Sequence, residues 1–248
     1  MTQLLSPPVT APAVLTDTLR RQGHAALSPA GLCQLAGVDA ARLDAWRPSW
    51  DHLPPDAYLR DGGRYRRRRH GSFVVTAGEV LQVPHRAHWQ PVSYNALHGG
   101  LERWFEPIEP GLVATPEWPR LLAALAGVCS AVKGAQPWYV EAHQFRIDTT
   151  DGIGRPTPEG AHRDGVDFVA VLLVSREGVK GGETRVFEAD GPSGLRFTLT
   201  QPWTTLLLDD ERVIHESTPI QPLDTAAGGG HRDTLVLTFR RGGFQGPA

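Results

Sequence analysis

The chain has 248 residues, 40% hydrophobic and 21% charged: room for one large or two small domains, and too apolar for global disorder. A formal net charge of −2 excludes the basic surface that a general nucleic-acid or anionic-membrane binder needs. Two cysteines, Cys33 and Cys129, are too few for a disulfide scaffold and do not form a metal-type pair, so both read as reduced thiols of a cytoplasmic protein.

Residues 1–13 carry three prolines and no basic residue, which predicts a loose tail and no signal peptide. Apolar residues three or four apart predict helical pieces over 14–47, with starts at Ser28-Pro29 and Asp39. Residues 48–63 are a Pro- and Gly-rich connection, and 64–83 are two extended segments around Ala77-Gly78. Residues 84–116 are aromatic and irregular. The clearest helix is 117–134, striped by Leu121, Leu122, Leu125, Val128, Cys129 and Val132 and ended by Gly134. Its apolar run, 121–129, is far short of the roughly 20 residues of a membrane span.

The period then changes. Strands are expected at 138–147, 168–175, 183–188, 195–200, 204–208, 213–216 and 234–240, with turns such as Gly181-Gly182 and Gly228-Gly229-Gly230 between them. Many short strands point to a β-sandwich or barrel, a mainly β (α+β) protein with N-terminal and flanking helices. Residues 14–248 read as one domain, helical over 14–134 and β over 135–242, because the helix at 117–134 needs a sheet to cover.

One constellation carries chemistry. His162-Arg163-Asp164 places an imidazole and a carboxylate two residues apart, on one side of an extended strand. His215 follows several strands later and can fold back as a third ligand. Two His and one carboxylate form the facial triad of non-heme Fe(II) oxygenases. Arg163, between two ligands, points away. The tripeptide alone is weak evidence, since His231-Arg232-Asp233 repeats it with no histidine after it. Chain order makes the first copy distinctive, and the second supplies Arg232 with Thr234 on one strand face, a cation and a hydroxyl suited to a dicarboxylate. A kinase catalytic loop is excluded, because neither His-Arg-Asp copy has an asparagine five residues after its aspartate. The residues alone also suit a cupin-like protein that binds a metal or small molecule without redox chemistry, or a zinc hydrolase.

With these motifs in view the sequence resembles the Fe(II)/2-oxoglutarate-dependent dioxygenases. Within them it is similar to the subgroup of L-isoleucine dioxygenase and BsmA-like proteins. The segments that match the subgroup are 64–68, 94–107, 140–147 and 158–165, and the strand 168–174 with Gly181-Gly-Glu-Thr184 resembles the wider superfamily. The resemblance implies a double-stranded β-helix (jelly-roll) core. It implies Fe(II), 2-oxoglutarate and O2, with release of succinate and CO2. It also implies a small-molecule substrate, a free amino acid or derivative, and is compatible with a homodimer. One departure is the 17-residue step from His215 to Arg232, longer than the roughly ten common in the wider superfamily. For substrate, Gln144 and Arg146 share a strand face that meets either the cavity or solvent, and Asn95, the one asparagine in the chain, is a candidate pocket residue. The arginine run at 64 and 66–69 reads as a solvated face, with Arg66 and Arg68 on one side as the alternative.

Overall fold

The computed structural model describes residues 4–95, 97, 99–224 and 229–247. The first three residues of the expected tail, Ala96 and His98 of the 94–107 stretch, and Gly228 of the last turn lie outside them.

In chain order the elements are α1 (Leu15–Gln22), β1 (His24–Leu27), α2 (Pro29–Ala36), α3 (Ala40–Asp44), β2 (Arg66–Thr76) and β3 (Glu79–Gln82). Next come α4 (Pro110–Val113), α5 (Glu117–Lys133), β4 (Trp138–Asp148), β5 (Phe168–Glu177), β6 (Val179–Gly181) and β7 (Thr184–Glu188). Last are β8 (Gly194–Phe197), β9 (Thr205–Asp209), β10 (Val213–Ser217), β11 (Ile220–Pro222) and β12 (His231–Arg240). Local signals hold at several ends. Ser28 Oγ accepts from Gly31 N at 3.0 Å with Pro29 behind it, so α2 starts as a capped helix. Ala77 and Gly78 both have positive φ, which makes the two-residue hairpin between β2 and β3.

A seven-stranded antiparallel sheet runs β1-β9-β5-β12-β4-β2-β3, and a three-stranded one runs β10-β7-β8. From β4 onward the chain passes back and forth between them, with 162 bridging to β10 on the small-sheet side, β7 and β8 consecutive in the small sheet, and β6 paired with β11 apart from both. The outer face of the large sheet is covered by helices: Leu235, Leu237 and Phe239 of β12 share one buried cluster with Leu19, Leu32, Trp118, Leu121 and Leu125. Its inner face meets the small sheet through Val169, Leu206 and Leu208 against Val186, Phe197 and Val213. The strand period of two therefore sends one set of side chains to the helices and the other to the space between the sheets. No helix among the described residues is long and apolar enough to cross a membrane.

Two expectations need correction. The helical stretch 14–47 contains a strand, β1, which pairs with β9. With β2 and β3 this puts three strands of the large sheet in the 14–134 part, so β structure is not confined to 135–242. Leu4–Ala13 is also tied down: Thr10 N donates to Ala26 O at 2.7 Å and Thr198 N to Leu5 O at 2.8 Å. Its prolines stop it from entering a ladder fully, so it lies along strand edges instead.

Candidate metal centre and cavity

Strand register builds the floor of the site. Across β12, β4 and β2 the inward residues stand in rows: Arg232, Ile147, Arg66; then Thr234, Phe145, Arg68; then Val236, His143, His70; then Thr238, Glu141, Ser72. Most of them line a cavity of about 130 Å³. Its facing wall holds Thr157, Glu159, His162, Asp164, His215 and Ser217.

His162 and His215 are joined through their backbones. His162 N donates to His215 O, and His215 N to His162 O, each at 3.0 Å. Such a reciprocal pair puts both imidazoles on one face, with centroids 4.6 Å apart. Asp164, two residues on, joins them: its Oδ1 lies 3.8 Å from His162 Nε2 and its Oδ2 3.8 Å from His215 Nε2. These distances exceed hydrogen-bond reach. The ligand atoms of all three lie within 4.8 Å of one another, as for a shared ion. His162 Nδ1 bonds Gly160 O at 3.0 Å, which makes it the donor and leaves the Nε2 lone pair for a metal. Burial and the charge of His162 push His215 down to about 4, the neutral form a ligand needs. For His162, burial acts downward but Asp164, Glu159 and the Gly160 bond outweigh it, and its pKa is raised. Arg163 points away, donating to Glu211 O at 3.1 Å.

Two residues that the sequence reading did not single out hold Asp164. Gln90 Nε2 donates to Asp164 Oδ1 at 3.2 Å. Its Oε1 accepts from Asn95 Nδ2 at 3.1 Å and Arg103 Nη2 at 2.8 Å, so the amide can face only one way. Behind the loop, Asp210 accepts three backbone N–H bonds, from Asp164 (3.0 Å), Gly165 (2.8 Å) and Val166 (3.1 Å). Burial and then the Asp164 charge raise Asp210 to about 7 despite those bonds. Gly165, at φ 76, makes the turn directly after the carboxylate.

Arg232 and Thr234 face the cavity, while Leu235, Leu237 and Phe239 face the helices. Arg232 is 4% exposed, and its Nε and Nη2 have no hydrogen-bond partner among the described residues. Burial and Arg176 lower it to about 10, still charged at neutral pH. A buried guanidinium with two unpaired N–H groups beside a metal-type triad fits the distal carboxylate of 2-oxoglutarate.

The substrate residues divide. Asn95 is buried on the cavity wall. Gln144 and Arg146 are not there. Gln144 Nε2 donates to Ser49 Oγ at 2.7 Å, and Arg146 makes two 2.8 Å bonds to Asp233 and one of 2.8 Å to Asp51. Strand alternation holds, and the cavity side of β4 carries aromatic Phe145 and aliphatic Ile147, because a small-molecule site is itself partly apolar. The same bonds explain the second His-Arg-Asp, whose Asp233 is taken up by Arg146 and by Ser175 Oγ at 2.8 Å. The arginine run is also corrected. Arg67 pairs with the half-buried Asp148 and Arg69 with the exposed Glu106, but Arg66 and Arg68 are buried on the cavity side.

A second histidine group adjoins the cavity. His70 Nε2 and His88 Nδ1 bond Glu141 Oε1 at 3.1 and 3.2 Å, and Arg86 Nη1 joins at 3.1 Å. His70, His88 and His143 offer ring nitrogens close enough for an ion. The chemistry is wrong for one. Arg68 Nη2 donates to His143 Nδ1 at 2.8 Å, so that lone pair is used and the proton sits on Nε2. The His70 and His143 rings are stacked, 22° apart, and do not converge. Burial lowers all three, His88 to about 4, so they act as neutral hydrogen-bonding groups.

Two histidines and a carboxylate at one end of a cavity between two antiparallel sheets form a candidate metal site with the donor set of non-heme iron enzymes. The comparisons make this specific. The chain belongs to the 2OG-Fe dioxygenase family, whose model matches residues 47–238. It is therefore a non-heme iron dioxygenase, and the family uses Fe(II), 2-oxoglutarate and O2. A BsmA homologue of Methylobium petroleophilum PM1 is 54% identical over 100% of both chains, with a TM-score of 0.92. IDO from Bacillus thuringiensis shares the fold at 16% identity (TM-score 0.76, 95% of this chain and 100% of that one). So does the Fe(II)/(alpha)ketoglutarate-dependent dioxygenase TqaL at 20% (TM-score 0.71, 93% and 87%). No curated protein sequence matches the chain.

Proposed function

We propose that this chain hydroxylates a free amino acid or a close derivative, within the subgroup of L-isoleucine dioxygenase and BsmA-like proteins. His162, Asp164 and His215 hold Fe(II), and Arg232 with Thr234 hold 2-oxoglutarate. The repeated passage of the chain between the two sheets supports a double-stranded β-helix core and, with it, the same assignment. The observation that carries the reading is the triad sharing one cavity with a buried, unpaired Arg232. Bound together, Fe(II) and 2-oxoglutarate with O2 supply the oxidising chemistry, and succinate and CO2 are released.

The chain's own residues do the positioning. Two neutral imidazoles and one carboxylate leave the ferrous site a single positive charge, which attracts an anionic cosubstrate. Arg232 gives that cosubstrate a fixed far end through a bidentate fork. Gln90 holds the Asp164 carboxylate, and Asp210 holds the backbone N–H of the same residue. Phe145, Ile147, Val171 and Val236 make a dry wall beside the reacting space, which keeps solvent from the oxidising centre. A cavity of about 130 Å³ suits a small molecule rather than a folded partner.

The test is anaerobic titration of the protein with Fe(II) and 2-oxoglutarate. A weak visible charge-transfer band is expected in the wild type and none in His215→Ala, whose circular dichroism stays native. No band in the wild type would refute the reading and favour a cupin-like binding protein.

A further inference from the structure

Three buried guanidiniums stand on the side of the cavity away from β12. Arg66 and Arg68 project inward from β2, and Arg103 reaches in from the irregular segment before α4. They are 6%, 3% and 2% exposed. Asp56 serves two of them, 2.7 Å from Arg66 Nε and 3.8 Å from Arg68 Nη1. Arg103 Nη2 donates to the neutral Gln90 Oε1. The other carboxylate at this end, Glu141, is engaged by His70, His88 and a fourth guanidinium, Arg86.

Positive charge is therefore left over. Arg66 Nη2, Arg68 Nε and Arg103 Nε are each buried without a hydrogen-bond partner among the described residues. An arginine cannot escape by losing its proton at neutral pH. Nor can Arg68 swing out to water, since Phe105 and Phe145 lie against its guanidinium at 3.8 and 4.4 Å. Buried like charges persist where an anion completes them. Glu159 and Asp164 on the facing wall disfavour a dianion, so a single carboxylate is the best match.

Arg232 does not fill this role. It stands in the same row as Arg66 with Ile147 between them, two strand spacings or roughly 10 Å across the sheet. The two anchors are separate, and the cavity joins them. We propose that Arg66, Arg68 and Arg103 form a second anion subsite, two strands from Arg232, which holds a carboxylate of the molecule to be oxidised. This rests on the iron reading only in naming the occupant as substrate.

The test compares acids with their uncharged twins. The twenty common L-amino acids and their carboxamides are added to the anaerobic protein with Fe(II) and 2-oxoglutarate. Binding is read by the visible band and by thermal denaturation. At least one acid shifts both readouts, and its carboxamide binds at least tenfold more weakly. Arg66→Met weakens that acid at least tenfold while the dissociation constant for 2-oxoglutarate stays within twofold. Arg68→Met does the same and serves if the first variant does not fold. Acid and amide binding within twofold of each other, no response to any acid, or a variant that weakens 2-oxoglutarate as much as the acid would overturn the subsite. Failure of the iron reading looks different: no band forms under any condition, and the thermal readout still ranks acids against amides.

Discussion

Replacing Asp210 by asparagine keeps the shape of the side chain and removes one acceptor oxygen. In the wild type Oδ1 takes the Asp164 N–H, and Oδ2 takes those of Gly165 and Val166. Asparagine keeps the last two with its carbonyl but turns an NH2 toward the Asp164 N–H, donor against donor. The lost charge-assisted bond is worth about 1.5–3 kcal/mol, and a buried N–H without acceptor costs about 1–3 kcal/mol more. Burial and then the Asp164 charge raise Asp210 to about 7, and relief of both offsets part of this. The net, about 2–3 kcal/mol against the metal-binding loop conformation, is roughly 30- to 150-fold in Fe(II) affinity. Anaerobic Fe(II) titration at saturating 2-oxoglutarate measures it, and thermal denaturation of the metal-free protein reports the loop's contribution to the fold. Fe(II) affinity within threefold of wild type would refute the account of Asp210 as the brace of the metal loop.

Arg232→Ala is expected to raise the KM for 2-oxoglutarate at least tenfold and that for substrate little, in steady-state succinate release; equal shifts would remove its cosubstrate role. Gln90→Leu takes a side-chain donor from Asp164 Oδ1 and an acceptor from Arg103, and roughly tenfold weaker Fe(II) binding is expected in the same titration. Burial lowers His88 from 6.5 to about 4, so between those values the unfolded chain binds a proton that the folded one refuses. Stability is therefore lost as pH falls from about 6.5 toward 4, by about 3 kcal/mol for this group alone. Urea denaturation of the metal-free protein across that window checks it, and His88→Asn flattens the slope.

What the sequence makes legible is what repeats or alternates. The 3.6-residue stripe from Leu121 to Val132 marks α5 within a residue, and period two places Arg232 and Thr234 on one face and Leu235, Leu237 and Phe239 on the other. The triad is readable because two of its members are strand-spaced and the third follows a β-core. Alternation does not say which face is inward, which is why it leaves Gln144 and Arg146 open between cavity and solvent and reads Arg66 and Arg68 as surface. A buried polar wall and a solvated edge look alike in one chain, and only Asp56 and the aromatic rings around Arg68 decide between them. β1 is four residues, three of them small or apolar, with no pattern of its own; its partner β9 defines it. Gln90 and Asp210 act through loop geometry that spacing does not encode. The acidic Asp209-Asp210 pair directly after an apolar strand was the one available hint.

The rows of the cavity floor divide its labour by strand. Arg232 and Thr234 sit on β12, the wall residues on β4, and Arg66 and Arg68 on β2, at the far side of the same rows. A change on β2, or in the segment that carries Asn95 and Arg103, reshapes one end of the chamber and leaves the β12–β4 hydrogen-bond ladder intact. On the proposed reading the β2 end can change toward new molecules while β12 keeps its anchor, provided that Asn95 and Arg103 go on holding Gln90 against Asp164.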